Sequence, residues 1–177
     1  MKVTQIVNRS FTINMSFYVY MPWYASSALF TDNTTSGFKI KLPKTIKHNL
    51  KDFEVALVEV IDFPSLKLPQ DSPNSNNTLQ RIKNSFLSSE YKAFVTCDII
   101  KPQIFGELHL KILRVVNVHS KSRNSITFDS PFYVPLSRSE FDIIQINICD
   151  ENGYQLNLES DKSEKLTLVL HFRERFK

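Results

Sequence analysis

The stretch FYVPLSRSEFDIIQINICDENGYQLN, Phe132–Asn157, holds a run of isoleucines, a proline, several charges and a tight-turn signal. Ile144, Ile146 and Ile148 fall on one face of an extended chain with Gln145 and Asn147 between them, the period-two pattern of a half-buried strand. Asn152-Gly153 then favours a turn that needs positive φ, so the pattern predicts a hairpin. The expected partner region includes KLTLVLHFRER, Lys165–Arg175, where Leu166, Leu168, Leu170 and Phe172 alternate with Thr167, Val169, His171 and Arg173. This last strand is expected to close the sheet at the C-terminal end. The stretch contains no recognisable catalytic arrangement, which leaves three roles for it: active site, binding site or seam.

Working outward, Phe38, Ile40 and Leu42 alternate with Lys39 and Lys41 in a strand expected to end at Pro43. FEVALVEVIDF, Phe53–Phe63, is almost continuously apolar and suits a strand covered on both sides. AFVTCDII and HLKILRVVNV read as two further strands separated by KPQIFGE, with KSRNS as the next turn. LPQDSPNSNNTLQ, rich in Pro, Ser and Asn, is expected to be a long surface loop. Short helical turns are expected around Lys44–Leu50 and Ser137–Phe141. Roughly eight strands, with no helix-length amphipathic pattern, predict an all-β single jelly-roll or sandwich domain over residues 30–177. Residues 1–29 are apolar and aromatic without clear register, and two readings stand open for them: an arm that docks on a neighbour, or the first strand.

At 177 residues the chain suits one core burying roughly 70% of its unfolded surface. The net charge of +4 comes from interspersed Lys, Arg, Asp and Glu rather than from a basic block, so a specific nucleic-acid ligand is not indicated. MKVTQIVNRS lacks a signal-peptide apolar core, and FYVYMPWYASSALF is short and broken by Pro22, so neither secretion nor a membrane span is expected. Asn8, Asn14, Asn33 and Asn76 stand in Asn-x-Ser/Thr triplets that then mark polar loops only. The only cysteines, Cys97 and Cys149, lie in apolar runs with no ligand spacing, as buried thiols do.

Catalysis needs converging groups. His48, His109, His119 and His171 are far apart and sit in no hydrolase or zinc motif. Glu54 and Glu59 are five positions apart and point to opposite faces of a regular strand, which argues against an acid/base pair. Asp150 and Glu151 most simply start the turn. No enzyme, metal or cofactor is therefore expected. Lys39, Lys41, Lys44 and Lys47 lie near an aromatic cluster of Tyr18, Tyr20, Trp23 and Tyr24, which favours core or protein-interface packing over stacking on single-stranded nucleic acid.

Three segments, taken in order, resemble the minor capsid (penton) protein of Polinton or Maverick elements and adintoviruses. They are FKIKLPKTIKHNLKDFEVALVEVIDFP, VTCDIIKPQIFGELHLKILRVV and PFYVPLSRSEFDIIQINICDENGYQLNLES with KLTLVLHFR, together spanning about Phe38 to Arg175. The correspondence runs through Leu42-Pro43-Lys44-Thr45 with Phe53-Glu54-Val55-Ala56-Leu57 and Glu59. It continues in Thr96-Cys97-Asp98-Ile99 with Pro102-Gln103 and Gly106, and in Tyr133-Val134-Pro135 with Phe141, Asp142, the three alternating isoleucines, Asp150 and Gly153. The chain departs from the family pattern at Phe53, where Trp is usual, at Thr96 for Tyr, and at Cys149 for Arg.

The resemblance implies a single jelly-roll β-sandwich of two antiparallel four-stranded sheets. It also implies homopentamers at the fivefold vertices of an icosahedral virion, surrounded by a double-jelly-roll major capsid protein. A closed ring uses heterologous contacts, one flank of each subunit against the opposite flank of the next. Tyr133, Pro135, Arg138 and Glu140 are either directed at such a neighbour or ordinary loop residues. Tyr20 and Trp23 are further interface candidates. The rival reading is a β-sandwich that binds a ligand or receptor through loops such as Ser65–Leu79.

Overall fold

A computed structural model describes residues 16–48, 53–66, 90–119, 124–158 and 165–175. Among them there is no helix. The described residues form eleven strands in chain order: β1 (Ser16–Pro22), β2 (Gly37–Lys47), β3 (Phe53–Phe63), β4 (Glu90–Cys97), β5 (Gln103–Phe105), β6 (Leu108–Leu110), β7 (Ile112–His119), β8 (Asn124–Thr127), β9 (Val134–Pro135), β10 (Glu140–Cys149) and β11 (Thr167–Glu174). One sheet has the order β1-β11-β3-β8, with β9 also paired to β3, and the other has the order β2-β10-β4-β7. β5 and β6 form a separate two-stranded hairpin, and every pairing is antiparallel.

The core lies between the two large sheets. Phe38, Ile40 and Leu42 of β2 enter it beside Ile144, Ile146 and Ile148 of β10 and Ala93 and Val95 of β4. Opposite them stand Val55, Leu57 and Val60 of β3, Leu168, Leu170 and Phe172 of β11, and Met21 of β1. Each fully buried large side chain contributes about 1.5–3 kcal/mol relative to exposure. Phe17 stacks on Phe172 at 4.9 Å, and Phe172 on Phe141 at 5.9 Å, an aromatic column that joins the two sheets.

The expected hairpin between β10 and the last strand does not form. The turn does exist: Gly153 has φ 83°, and the Asp150 carboxylate accepts hydrogen bonds from the Asn152 and Tyr154 amides. Beyond it the chain makes two isolated bridges, Cys149 to Gln155 and Leu158 to Leu66, and no strand pairing with β10. In the other sheet β11 lies between β1 and β3 rather than closing an edge. The apolar faces of β10 and β11 meet across the core, and period-two alternation is equally satisfied by that arrangement and by side-by-side pairing.

β2 does not end at Pro43 but runs on to Lys47, so no helical turn occupies residues 44–48. β2 is an edge strand, and its register with β10 shifts between Phe141 and Ile143, so the N–H that proline lacks breaks no regular ladder. Residues 137–139 form no helical turn either, because the Ser137 N–H donates to the Ile99 carbonyl. KPQIFGE is no simple connector, since most of it forms β5 and the β5–β6 turn at Gly106, φ 61°. Of the segment left open between arm and strand, residues 16–22 are β1, paired along its length with β11. Residues 1–15 and most of the loop expected around Ser65–Leu79 lie outside the described residues.

Candidate interaction surface

The outward side of the β1-β11-β3 sheet is built by positions that alternate with the core residues, except that a bulge in β3 after Leu57 brings Glu59 to the same side as Glu54, where a regular strand would have put the two on opposite faces. Register places Tyr18, His171 and Ala56 in one row and Tyr20, Val169 and Glu59 in the next. Tyr18 stacks on the His171 ring at 4.4 Å, and His171 Nδ1 shares a 2.6 Å hydrogen bond with the Tyr133 hydroxyl. Arg173 Nε and Nη2 both donate to Glu54 Oε1 at 2.8 Å, while the guanidinium lies 3.4 Å over the Tyr133 ring. The Glu54 side chain is only 10% exposed, so this ion pair is partly desolvated and holds Tyr133 against the sheet. Burial, and then the nearby Arg173 charge, lower the His171 pKa. Tyr20 remains 63% exposed.

The opposite side of the sandwich carries a second apolar surface. The β5–β6 hairpin folds over the outer face of the β2-β10-β4-β7 sheet, where Phe105 packs edge-on against Phe94 at 5.7 Å. Between the hairpin, β7 and the segment before β9 lies a groove of about 390 Å³, lined among others by Ile104, Phe105, Val115, Phe132 and Arg114. Arg114 stacks 4.2 Å over Phe128 and donates once to the Ser130 carbonyl. Among the described residues, the large apolar side chains that stay exposed fall into two groups and one outlier, Tyr154. One group is Tyr18, Tyr20, Tyr24 and Leu29, on β1 and the turn after it. The other is Ile104, Phe105, Leu108, Val115 and Phe132.

The residues singled out from the sequence are divided among several places. Tyr20 and Tyr133 share the outward side of the β1-β11-β3 sheet. Pro135 sits in β9 opposite Glu54. Arg138 pairs with Asp98 at 3.0 Å, in a latch where Asp98 Oδ1 accepts the Gln145 amide. Glu140 pairs with Lys47 at 2.9 Å across β10 and β2. Trp23 packs on the core and meets Tyr24 edge-on. The sequence reading weighed His171 and Glu54 only as catalytic groups and set them aside, and it gave Arg173 no role, because their outward alternation looks like any solvated strand face. It also passed over Ile104, Phe105 and Leu108, for which three large apolar residues around Gly106 were the available signal.

Other chemistry is sparse. Lys39 and Lys41 are paired with Asp32 and Asp142, and Lys47 with Glu140, so the basic strand is largely neutralised. Among the described residues no three His, Cys, Asp or Glu side chains converge on a metal-sized site, and no helix is long and apolar enough to cross a membrane. Cys97 is fully buried, which pushes its thiol up to about 12, and Cys149 is raised by burial and by Asp150. No known protein-family pattern matches the chain, and no curated protein matches it.

Proposed function

We propose that this chain is a single jelly roll serving as the vertex subunit of an icosahedral shell, five copies closing a ring within a lattice of double-jelly-roll major capsid protein. The observation that carries this reading is the strand order. The two sheets, β1-β11-β3-β8 and β2-β10-β4-β7, interleave the first, last and middle strands of the chain, as the wrapping of a jelly roll demands. The outer edge of β3 is shared by two short strands, β8 and β9, which together take the place of one strand in a four-stranded sheet.

Two further features support the reading. The exposed apolar residues form two different groups on the two sheets, whereas a twofold dimer needs one self-complementary patch; two unlike patches suit a closed ring. The sequence resemblance to Polinton and adintovirus minor capsid proteins supplies the ring size. Sedimentation velocity and negative-stain imaging of the purified chain test it directly. A species of five times the 20.6 kDa chain mass, seen as fivefold rings, is expected. A monomer across the micromolar range, or a twofold dimer, refutes it.

A further inference from the structure

We infer that neighbouring subunits join by seating the Tyr18–Tyr20 side of β1 from one copy in the Ile104–Phe132 groove of the next, with Glu59 facing Arg114 across the seam. The inference rests on the ring reading above and assigns its contact.

One surface is the outward side of the β1-β11-β3 sheet along β1, and the other lies along β7, walled by the β5–β6 hairpin and Phe132, so the two are different patches and a repeated rotation can bring one against the other without using either twice. Their chemistry is complementary. One side projects tyrosine rings, amphipathic anchors common at interface centres; the other is a concavity walled by aliphatic and aromatic side chains.

The charges agree with this pairing. Glu59, itself half-buried, lies in the same row as Tyr20, across Val169, and its carboxylate has no ion-pair or hydrogen-bond partner among the described residues. Arg114 lines the groove, and its guanidinium is held by one carbonyl and one ring and has no carboxylate partner among the described residues. Glu54 and Asp98, by contrast, are matched within the subunit by Arg173 and Arg138. An unmatched anion beside the tyrosines and an unmatched cation in the groove steer and orient a heterologous contact.

The test is a charge exchange in the full chain. Wild type, Arg114→Glu, Glu59→Arg and the double variant are compared by sedimentation velocity, with thermal unfolding as the control for folding. Each single reversal is expected to weaken ring assembly about tenfold or more, and the double variant to recover it. Ile104→Asp, at a side chain 78% exposed, is expected to dissociate the ring while shifting the unfolding temperature by no more than about 2 °C. If wild type forms no ring, the vertex reading itself falls. If wild type forms rings and the single reversals and Ile104→Asp assemble equally well, or the double variant stays as dissociated as the singles, only the assigned contact is overturned.

Discussion

Replacing Arg173 with Met tests the most shielded ion pair among the described residues. Two 2.8 Å donations from the guanidinium to Glu54 Oε1 disappear, and the carboxylate, 10% exposed, is left without a cation. Stranding a fully buried charge costs about 3–5 kcal/mol, and a solvent-exposed pair contributes about 0–1 kcal/mol. The Arg173 side chain is 35% exposed, so water reaches one end of this pair and the loss falls between those limits. The guanidinium also leaves the Tyr133 ring, a further 0.5–1 kcal/mol or about that. The expected total is about 2–3 kcal/mol, which in a domain of this size lowers the unfolding temperature by about 5–10 °C. Glu54→Gln removes the charge at the more buried end of the pair and costs less. The double variant, in which no charge is stranded, is more stable than Arg173→Met alone. Urea unfolding of all four proteins at one fixed protomer concentration gives the cycle, since assembly itself adds apparent stability. Additive single effects, or a loss below about 0.5 kcal/mol for Arg173→Met, would refute the argument that a partly desolvated pair holds this face together.

Three further outcomes are expected. Phe172→Ala removes a fully buried ring from the aromatic column and costs about 3–5 kcal/mol in urea unfolding. His48 packs against Phe53 with both ring nitrogens buried and without a partner among the described residues, so His48→Phe loses no side-chain hydrogen bond there and is expected to leave the melting temperature unchanged or raised. Cys97, whose thiol is pushed up to about 12, resists a thiol reagent at pH 8 until urea unfolds the chain. Because that folded value lies above the unfolded one, near 9, the thiol favours the folded state fully below pH 9 and loses that contribution as pH rises toward 12. Cys97→Ala therefore flattens the alkaline decline of stability in a pH series of thermal melts.

Alternation along the chain named the inward side chains before any pairing was known. Ile144, Ile146 and Ile148, and Leu166, Leu168, Leu170 and Phe172, are all fully buried, and Gly153 takes the positive φ that its turn requires. These features depend on neighbours one or two residues away, and the chain spells them out locally. The partners of each strand were not legible in this way. β10 and β11 have the same pattern that a hairpin would have, yet they face each other across the core, because only closure of two whole sheets buries both sets of side chains at once.

The surface features were hidden for a related reason. Glu54 and Arg173 are 119 positions apart in the chain, and Tyr133 and His171 are 38 apart; each looks alone like a polar or aromatic residue on a wet strand face. Pro43 read as a terminator because the sequence does not say that β2 lies at a sheet edge, where a missing N–H is tolerated. The sequence by itself determined which side of β2, β10 and β11 is apolar and where the Asn152-Gly153 turn falls, since those are set by period and by local φ. Tertiary structure alone decided which strands lie side by side, which charges are matched and which apolar residues stay uncovered, since those depend on surfaces that meet only once the sandwich has closed.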